Sequence, residues 1–227
     1  MSRRLKIFIG YDSREKIAYH VLSQSIIENS TIPLTITPIN LTNIKSFYKR
    51  VKNKKQSTEF SISRFLTPYL SNYKGYSLFL DCDFVMLGDV AKLLKLVLKK
   101  NKVLWCVKHK DYIPKDKIKF LREKQLPYAK KNWSSFMIFN NAKCKILTPK
   151  LVSKASGLYL HQFKWTKEKL IGELPKNWNI LVGEQKIPKK INALHYTLGG
   201  PWFKKHSKCA GSKHWFYYKK RIFGKKI

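Results

Sequence analysis

Acidic residues are scarce: 13 Asp and Glu stand against 47 Lys and Arg in 227 residues, for a formal charge of +34. Such a surface disfavours cationic partners and draws polyanions, whether nucleic acid, an anionic membrane face or the phosphates of a nucleotide. Arginine is scarce too, supplying 7 of the 47 cations, and sequence-specific nucleic-acid readers lean on the bidentate arginine fork. Neither an RNA-stacking aromatic signature nor a KH-type G-x-x-G is found, so no specific nucleic-acid partner is expected. The lysines are spread over nearly every loop and helix face, the pattern of a solvated surface. Cysteines are few: Cys82, Cys106, Cys144 and Cys209 are widely spaced, and no leader pattern precedes the first strand. Both facts favour a reducing, cytoplasmic setting. Long apolar runs are missing, since "LFLDCDFVML" is broken by charge and "LLKLVL" is short of the roughly 20 residues that span a bilayer. Membrane contact would then be peripheral, at the inner face.

What is present is a globular composition, 44% hydrophobic and 14% aromatic, of a length that suits one domain. "LKIFIG" reads as a buried strand over 5–10, followed by a helix with Ala18, Val21, Leu22, Ser25 and Ile26 on one face. "PLTITPINL" alternates like a second strand, and the basic "KSFYKRVKNKKQ" as an exposed loop or short helix. "SISRFLTPYLSNY" suggests a helix kinked at Pro68, leading into the strand "LFLDCD". Then come an amphipathic helix in "DVAKLLKLVLKKN", strands in "VLWCVKH" and "SSFMIFNN", and short extended pieces in "KNWNILVG" and "NALHYT". Alternating strands and helices predict an α/β domain with a mostly parallel central sheet, whose ligands lie beyond the carboxyl ends of the strands. Asp12, Asp81 and Asp83 would share that rim. No repeat or linker divides the chain, so 1–227 is read as a single domain.

Within a strand, Asp81 and Asp83 would project to the same side with Cys82 pointing away. Two carboxylates that close repel unless a cation lies between them, and a divalent metal with hard oxygen ligands resolves the conflict. The bland alternative is a turn or helix cap, weakened here by the apolar run and the shortage of acids. A Mg²⁺-dependent phosphotransferase with the first Asp as nucleophile is a second alternative. That class carries its motif on the first strand and adds acids downstream, and neither condition holds. A third use is a cation held against the diphosphate of a nucleotide-sugar.

In the order "IFIGYD", "STEFSISRFLTPYL", "FLDCD", "NWSSFMIFNNAKC", "IGELPKNWN" and "LHYTLGGPW", the chain resembles the GT-A glycosyltransferases. It is most similar to family 8, which includes glycogenin and bacterial lipopolysaccharide hexosyltransferases, in a compact bacterial subgroup. The resemblance implies a Rossmann-like nucleotide-diphospho-sugar transferase fold and a hexosyltransferase, with a nucleotide-binding part over about 1–100, a donor-sugar and acceptor part over about 101–203 and a basic aromatic tail over 204–227. A hexose would move from a UDP-sugar to a hydroxyl of a glycan or glycolipid with retention, as in lipopolysaccharide biosynthesis. It implies Mn²⁺, or Mg²⁺, on Asp81, Asp83 and His195, with Asp83 and Gln162 in catalytic positions. Donor contacts carried over are Gly10, Tyr11 and Asp12 for uridine, Arg64 and Asp81 near the diphosphate, Ser134 and Ser135 for the sugar, and Gly199 and Gly200 for the phosphate.

The sequence departs from the family in three places. Trp133 stands in a small-residue turn, His161 replaces the Asp of an Asp-Gln pair, and no Lys precedes Pro201. Lys204 or Lys205 could supply that charge. For Arg64 a surface pair with Glu59 is the bland reading. The tail "KHWFYYKKRIFGKK" is either a lipid- or acceptor-facing element or a basic helix covering the domain. The reading that competes with an enzyme is a basic nucleic-acid-associated protein with a vestigial sheet rim.

Overall fold

The structure is a computed structural model that describes residues 5–51, 56–98, 100–109 and 128–224. The segment 52–55 of the basic loop and 225–227 of the tail lie outside the described residues. The chain opens with β1 (Leu5–Gly10), α1 (Lys16–Asn29) and β2 (Leu34–Ile39), and β2 pairs parallel with β1. β3 (Tyr76–Leu80) lies parallel on the other side of β1. β6 (Phe136–Asn140) runs antiparallel to β3, and β5 (Leu104–Cys106) pairs antiparallel with β6 and parallel with the edge strand β7 (Ile171–Glu173). The six-stranded order is β2-β1-β3-β6-β5-β7, parallel but for β6.

A second, three-stranded sheet joins β4 (Phe84–Met86) to β9 (Ala193–His195) and β8 (Ile180–Leu181). It ties residues just past β3 to residues a hundred positions downstream. α1 is wedged between the two sheets. Its buried residues are the expected Ala18, Val21, Leu22, Ser25 and Ile26; Ala18, Leu22 and Ile26 belong to the main core, whereas Val21 joins a second core with Val85, Leu194, Trp215 and Tyr218. Trp215 and Tyr218 come from α7 (Ser212–Phe223). The tail is thus a basic helix docked on α1, held by Asn29 Nδ2 donating to the Tyr218 hydroxyl at 2.6 Å and by Arg221 on Glu28.

Two local expectations are corrected. Residues 61–73 do not form one kinked helix. A 3₁₀ turn over Ser63–Leu66 runs into a short α3 (Thr67–Leu70) with Pro68 in its first turn, where its missing N–H costs nothing. The segment stops at Asn72 and Tyr73, both left-handed, with Tyr73 N–H closing back on Pro68 C=O. The basic loop is not wholly exposed either. Tyr48 is buried, and the Arg50 guanidinium donates to the Val152, Ser153 and Ala155 carbonyls at the end of α5 (Pro149–Lys154). Those carbonyls have no partner inside the helix, so the cation satisfies them.

Candidate functional site

β3 ends at Leu80, and Asp81, Cys82 and Asp83 form the turn by which the chain leaves one sheet for the other. Asp81 N–H still donates to Ser135 C=O at 3.0 Å, past the end of the β3–β6 ladder, while Asp83 C=O already accepts from Tyr196 N–H in the small sheet. The two carboxylates therefore converge through this turn, not through strand alternation. Cys82 is buried below them. β9 brings in His195, whose Nε2 lies 3.3 Å from Asp83 Oδ1. One ligand atom each from Asp81, Asp83 and His195 lies within 4.8 Å of the others. Two hard oxygens and an imidazole nitrogen are a donor set that suits Mn²⁺ or Mg²⁺, so the residues fit the metal the fold implies. The His195 ring stacks on Phe84 at 4.2 Å and is 2% exposed, and its Nδ1 meets Asn179 Oδ1 at 3.0 Å.

Arg64 pairs with Asp81, not with Glu59, whose carboxylate instead accepts from Ser13. The buried guanidinium donates from Nη1 to Asp81 Oδ1 at 2.7 Å and to Ser134 C=O at 2.9 Å, and from Nε to Ser61 C=O. It sits over the rings of Phe60 and Phe79. Ser134 and Ser135 belong to a 3₁₀ turn over Trp133–Ser135 that feeds β6. Ser134 Oγ lies 2.7 Å from His161 Nδ1, and Ser135 Oγ donates to Asn132 C=O. Burial, and then the Arg64 cation, push the His161 imidazole down to about 3, so it is neutral. His161, the last residue of α6 (Gly157–His161), thus meets Ser134 directly. Gln162 caps the same helix, half-buried, with its C=O accepting from Lys130 Nζ. Trp133 packs into the wall with its indole N–H on His109 C=O.

The turn after β1 supplies the rest of the rim. Gly10 is required by close approach, because a Cβ there would lie 2.3 Å from the Phe60 ring. Tyr11 is half-buried, edge-on to Tyr19. The Asp12 carboxylate is fully buried and accepts from Arg14 Nε, Nη2 and N–H and from Glu59 N–H. These bonds outweigh the burial that would raise it and hold it below the usual carboxylate range. As placed, Asp12 braces the turn and orients Arg14. Glu15, which the sequence does not single out, is 2% exposed. Burial first, then the Asp83 and Asp12 charges, push its carboxyl up to about 9.

Four of the 13 acids thus crowd one rim, where Arg14 pairs with Asp12 and Arg64 with Asp81. At the far lip, Gly199 has φ of 121° and its N–H donates to Tyr196 C=O, so that amide is engaged internally. A Cβ on Gly200 would lie 1.9 Å from the Trp202 ring. Lys204 and Lys205 are exposed on a 3₁₀ turn beyond it.

No protein-family model matches the chain. Among solved structures it superposes on the glycosyltransferase GlyE of Streptococcus pneumoniae with a TM-score of 0.64 at 14% identity, covering 96% of this chain and 60% of that one. It matches the bifunctional glycosyltransferase WbbM with a TM-score of 0.62 at 16% identity, over 94% of this chain and 49% of that one. It matches the galactosyltransferase LgtC, solved with donor and acceptor sugar analogues, with a TM-score of 0.59 at 10% identity over 97% of both chains. At these identities the likeness establishes the GT-A fold, and the chain spans less than two thirds of GlyE and WbbM. A relative in sequence is from a plant. Aligned over 219 residues at 42% identity, 92% of this chain and 84% of its partner, the chain belongs to the family of Protein CDI of Arabidopsis thaliana.

Proposed function

We propose that the protein is a glycosyltransferase that moves a hexose from a UDP-sugar to a hydroxyl of a glycan or glycolipid, with Mn²⁺ or Mg²⁺ on Asp81, Asp83 and His195. The observation that carries this reading is the convergence of those three ligands, backed by Arg64, at the junction of the two sheets in a GT-A fold. When bound, the cation supplies positive charge to the diphosphate oxygens of the departing nucleotide.

The chain's own groups do the rest. Asp83 and His195 hold their ligand atoms in place through the small sheet, and Arg64 fixes Asp81 from behind. Tyr11 offers an aromatic face to a base, and the Asp12-braced Arg14 offers a cation beside it. Ser134, whose hydroxyl lies against the neutral His161 ring, is the candidate contact for a sugar hydroxyl. Gln162, next along the chain, is the candidate beside the anomeric carbon. Such preorganised groups favour the charge-separated transition state over the ground state. No protein nucleophile is required, and retention is carried over from the resemblance to family 8.

A phosphotransferase reading is disfavoured because the first Asp of the motif is tied to Arg64 at 2.7 Å. A thermal-shift panel of nucleotide-sugars with and without Mn²⁺ tests the reading, since a ligand that binds the folded state alone raises its melting temperature. UDP-sugar with Mn²⁺ is expected to stabilise the protein, and Asp83→Asn to abolish both that response and UDP-sugar turnover. Salt-sensitive DNA binding without any UDP and Mn²⁺ response would favour a nucleic-acid-associated protein instead.

The outward face of α7 carries Phe216, Tyr217 and Phe223 among Lys213 and Lys220, opposite the buried Trp215 and Tyr218. That arrangement supports peripheral seating on an anionic membrane, where a glycolipid acceptor would lie. No helix among the described residues is long and apolar enough to cross a membrane.

A further inference from the structure

His195 can present either ring nitrogen as a lone pair, and a metal ligand requires the correct one. The structure decides the matter through a chain of hydrogen bonds that begins at Asn132. Asn132 has φ of 64°, a left-handed turn that exposes its C=O to the Ser135 hydroxyl. Ser135 Oγ donates its one proton to that carbonyl at 2.7 Å, so toward Asn179 it can act as an acceptor alone. Asn179 therefore turns its amide nitrogen to Ser135, at 3.0 Å, with Asn132 C=O a second acceptor at 3.4 Å. The amide oxygen is left facing His195 Nδ1 at 3.0 Å, and an oxygen there can accept a proton but not donate one.

We infer that Asn179 is the positioning residue that holds His195 with its proton on Nδ1, against the competing Asp83 carboxylate 3.3 Å from Nε2, and so leaves the Nε2 lone pair for a cation. Asn179 is fully buried, so water does not compete for its oxygen. It lies in the loop before β8, and Phe84 stacks against the same imidazole, so the ring's direction and its tautomer are set together. Ser135 C=O accepts from Asp81 N–H, so the turn before β6 orients two of the three candidate ligands. Outer hydrogen bonds of this type are worth roughly 10- to 100-fold in metal affinity.

The inference rests on the metal reading above, and the test separates the two. Long-range ¹⁵N–¹H spectra at about pH 8, above the ordinary imidazole range, recorded with and without Mg²⁺ and UDP, report the tautomer directly. The His195 ring is expected as the Nδ1–H form. An Nε2–H ring would overturn the inference without touching the transferase reading. Mn²⁺ affinity, read from the free-ion paramagnetic resonance signal in the presence of UDP, is expected to fall roughly 10- to 100-fold in Asn179→Leu and to recover in Asn179→Asp, which restores the acceptor oxygen. Asn179→Leu that folds, keeps the Nδ1–H ring and binds Mn²⁺ as wild type would also overturn it. Should Asn179→Leu fail to fold, the wild-type spectrum and Asn179→Asp still decide. A wild-type protein that binds no Mn²⁺ while showing the Nδ1–H ring would sink the metal reading alone.

Discussion

Arg64→Met removes the cation behind Asp81 while keeping an unbranched side chain between Phe60 and Phe79. The pair it breaks is inside the protein, with side-chain exposure of 6% for Arg64 and 14% for Asp81. Deleting one partner of a buried ion pair costs roughly 3–5 kcal/mol, because the other charge is stranded. The partial exposure of Asp81 puts the cost at the lower end, about 3 kcal/mol, even with the Ser134 and Ser61 carbonyls also losing their donor. For a chain of this size that corresponds to a drop of about 6–12 °C in melting temperature. Mn²⁺ adds a second, opposite signature. In wild type Arg64 already neutralises part of the charge on Asp81, whereas in the variant the metal ion takes over that part. The melting temperature of Arg64→Met should therefore rise further on Mn²⁺ addition than that of wild type, while transfer activity falls. Scanning calorimetry with and without Mn²⁺, together with the Arg64→Met/Asp81→Asn double variant, reads both effects. A variant melting within about 2 °C of wild type, or one with no larger Mn²⁺ response, would refute the placement of Arg64.

Glu15 sets a pH dependence. Its folded-state carboxyl, at about 9, lies above its ordinary 4.5, so the folded state holds a proton that the unfolded chain releases in between. Stability is therefore full at and below the ordinary value and lost as pH rises toward 9; Glu15→Gln should flatten the fall in melting temperature expected between 4.5 and about 9. A wild-type profile already flat there would contradict the burial argument. Gly10→Ala drives a methyl into the Phe60 ring, and overpacking of that kind should cost roughly 1–3 kcal/mol in chemical denaturation. Serine at Phe216, Tyr217 and Phe223 should leave the fold intact and reduce the salt-resistant fraction of protein that cosediments with anionic vesicles; an unchanged fraction would remove α7 as the contact.

Much of the architecture was legible because local pattern and tertiary burial agree. β1 over Leu5–Gly10 and the α1 face of Ala18, Val21, Leu22, Ser25 and Ile26 emerge as read, since each repeats at the period of its element. β4 did not, because "FVM" is too short to show a period and lies past the carboxyl end given to the strand "LFLDCD". A pair two positions apart looks like one face of a strand, and the structure puts the same pair in the turn between two sheets. Glu15 and Arg14 carry no pattern of their own. What would have singled them out is the scarcity of acids and arginines, joined to their place in the turn after the first strand.

The sequence by itself determined that two carboxylates stand at the end of an apolar strand in a chain with few acids, and that a late histidine was a candidate partner. Tertiary structure alone decided that they meet. His195 reaches Asp83 because β9 pairs antiparallel with β4, a contact between residues more than a hundred apart that no local period encodes. It also decided which groups answer their charge: Arg64 on Asp81, Arg14 on Asp12, Asn179 on His195 and a protonated Glu15 behind them. The reason is physical. Hydrophobic periodicity is set by the chain's own geometry, whereas the balance of charge in a buried rim depends on what the fold brings within a few ångströms and on how far it shuts out water.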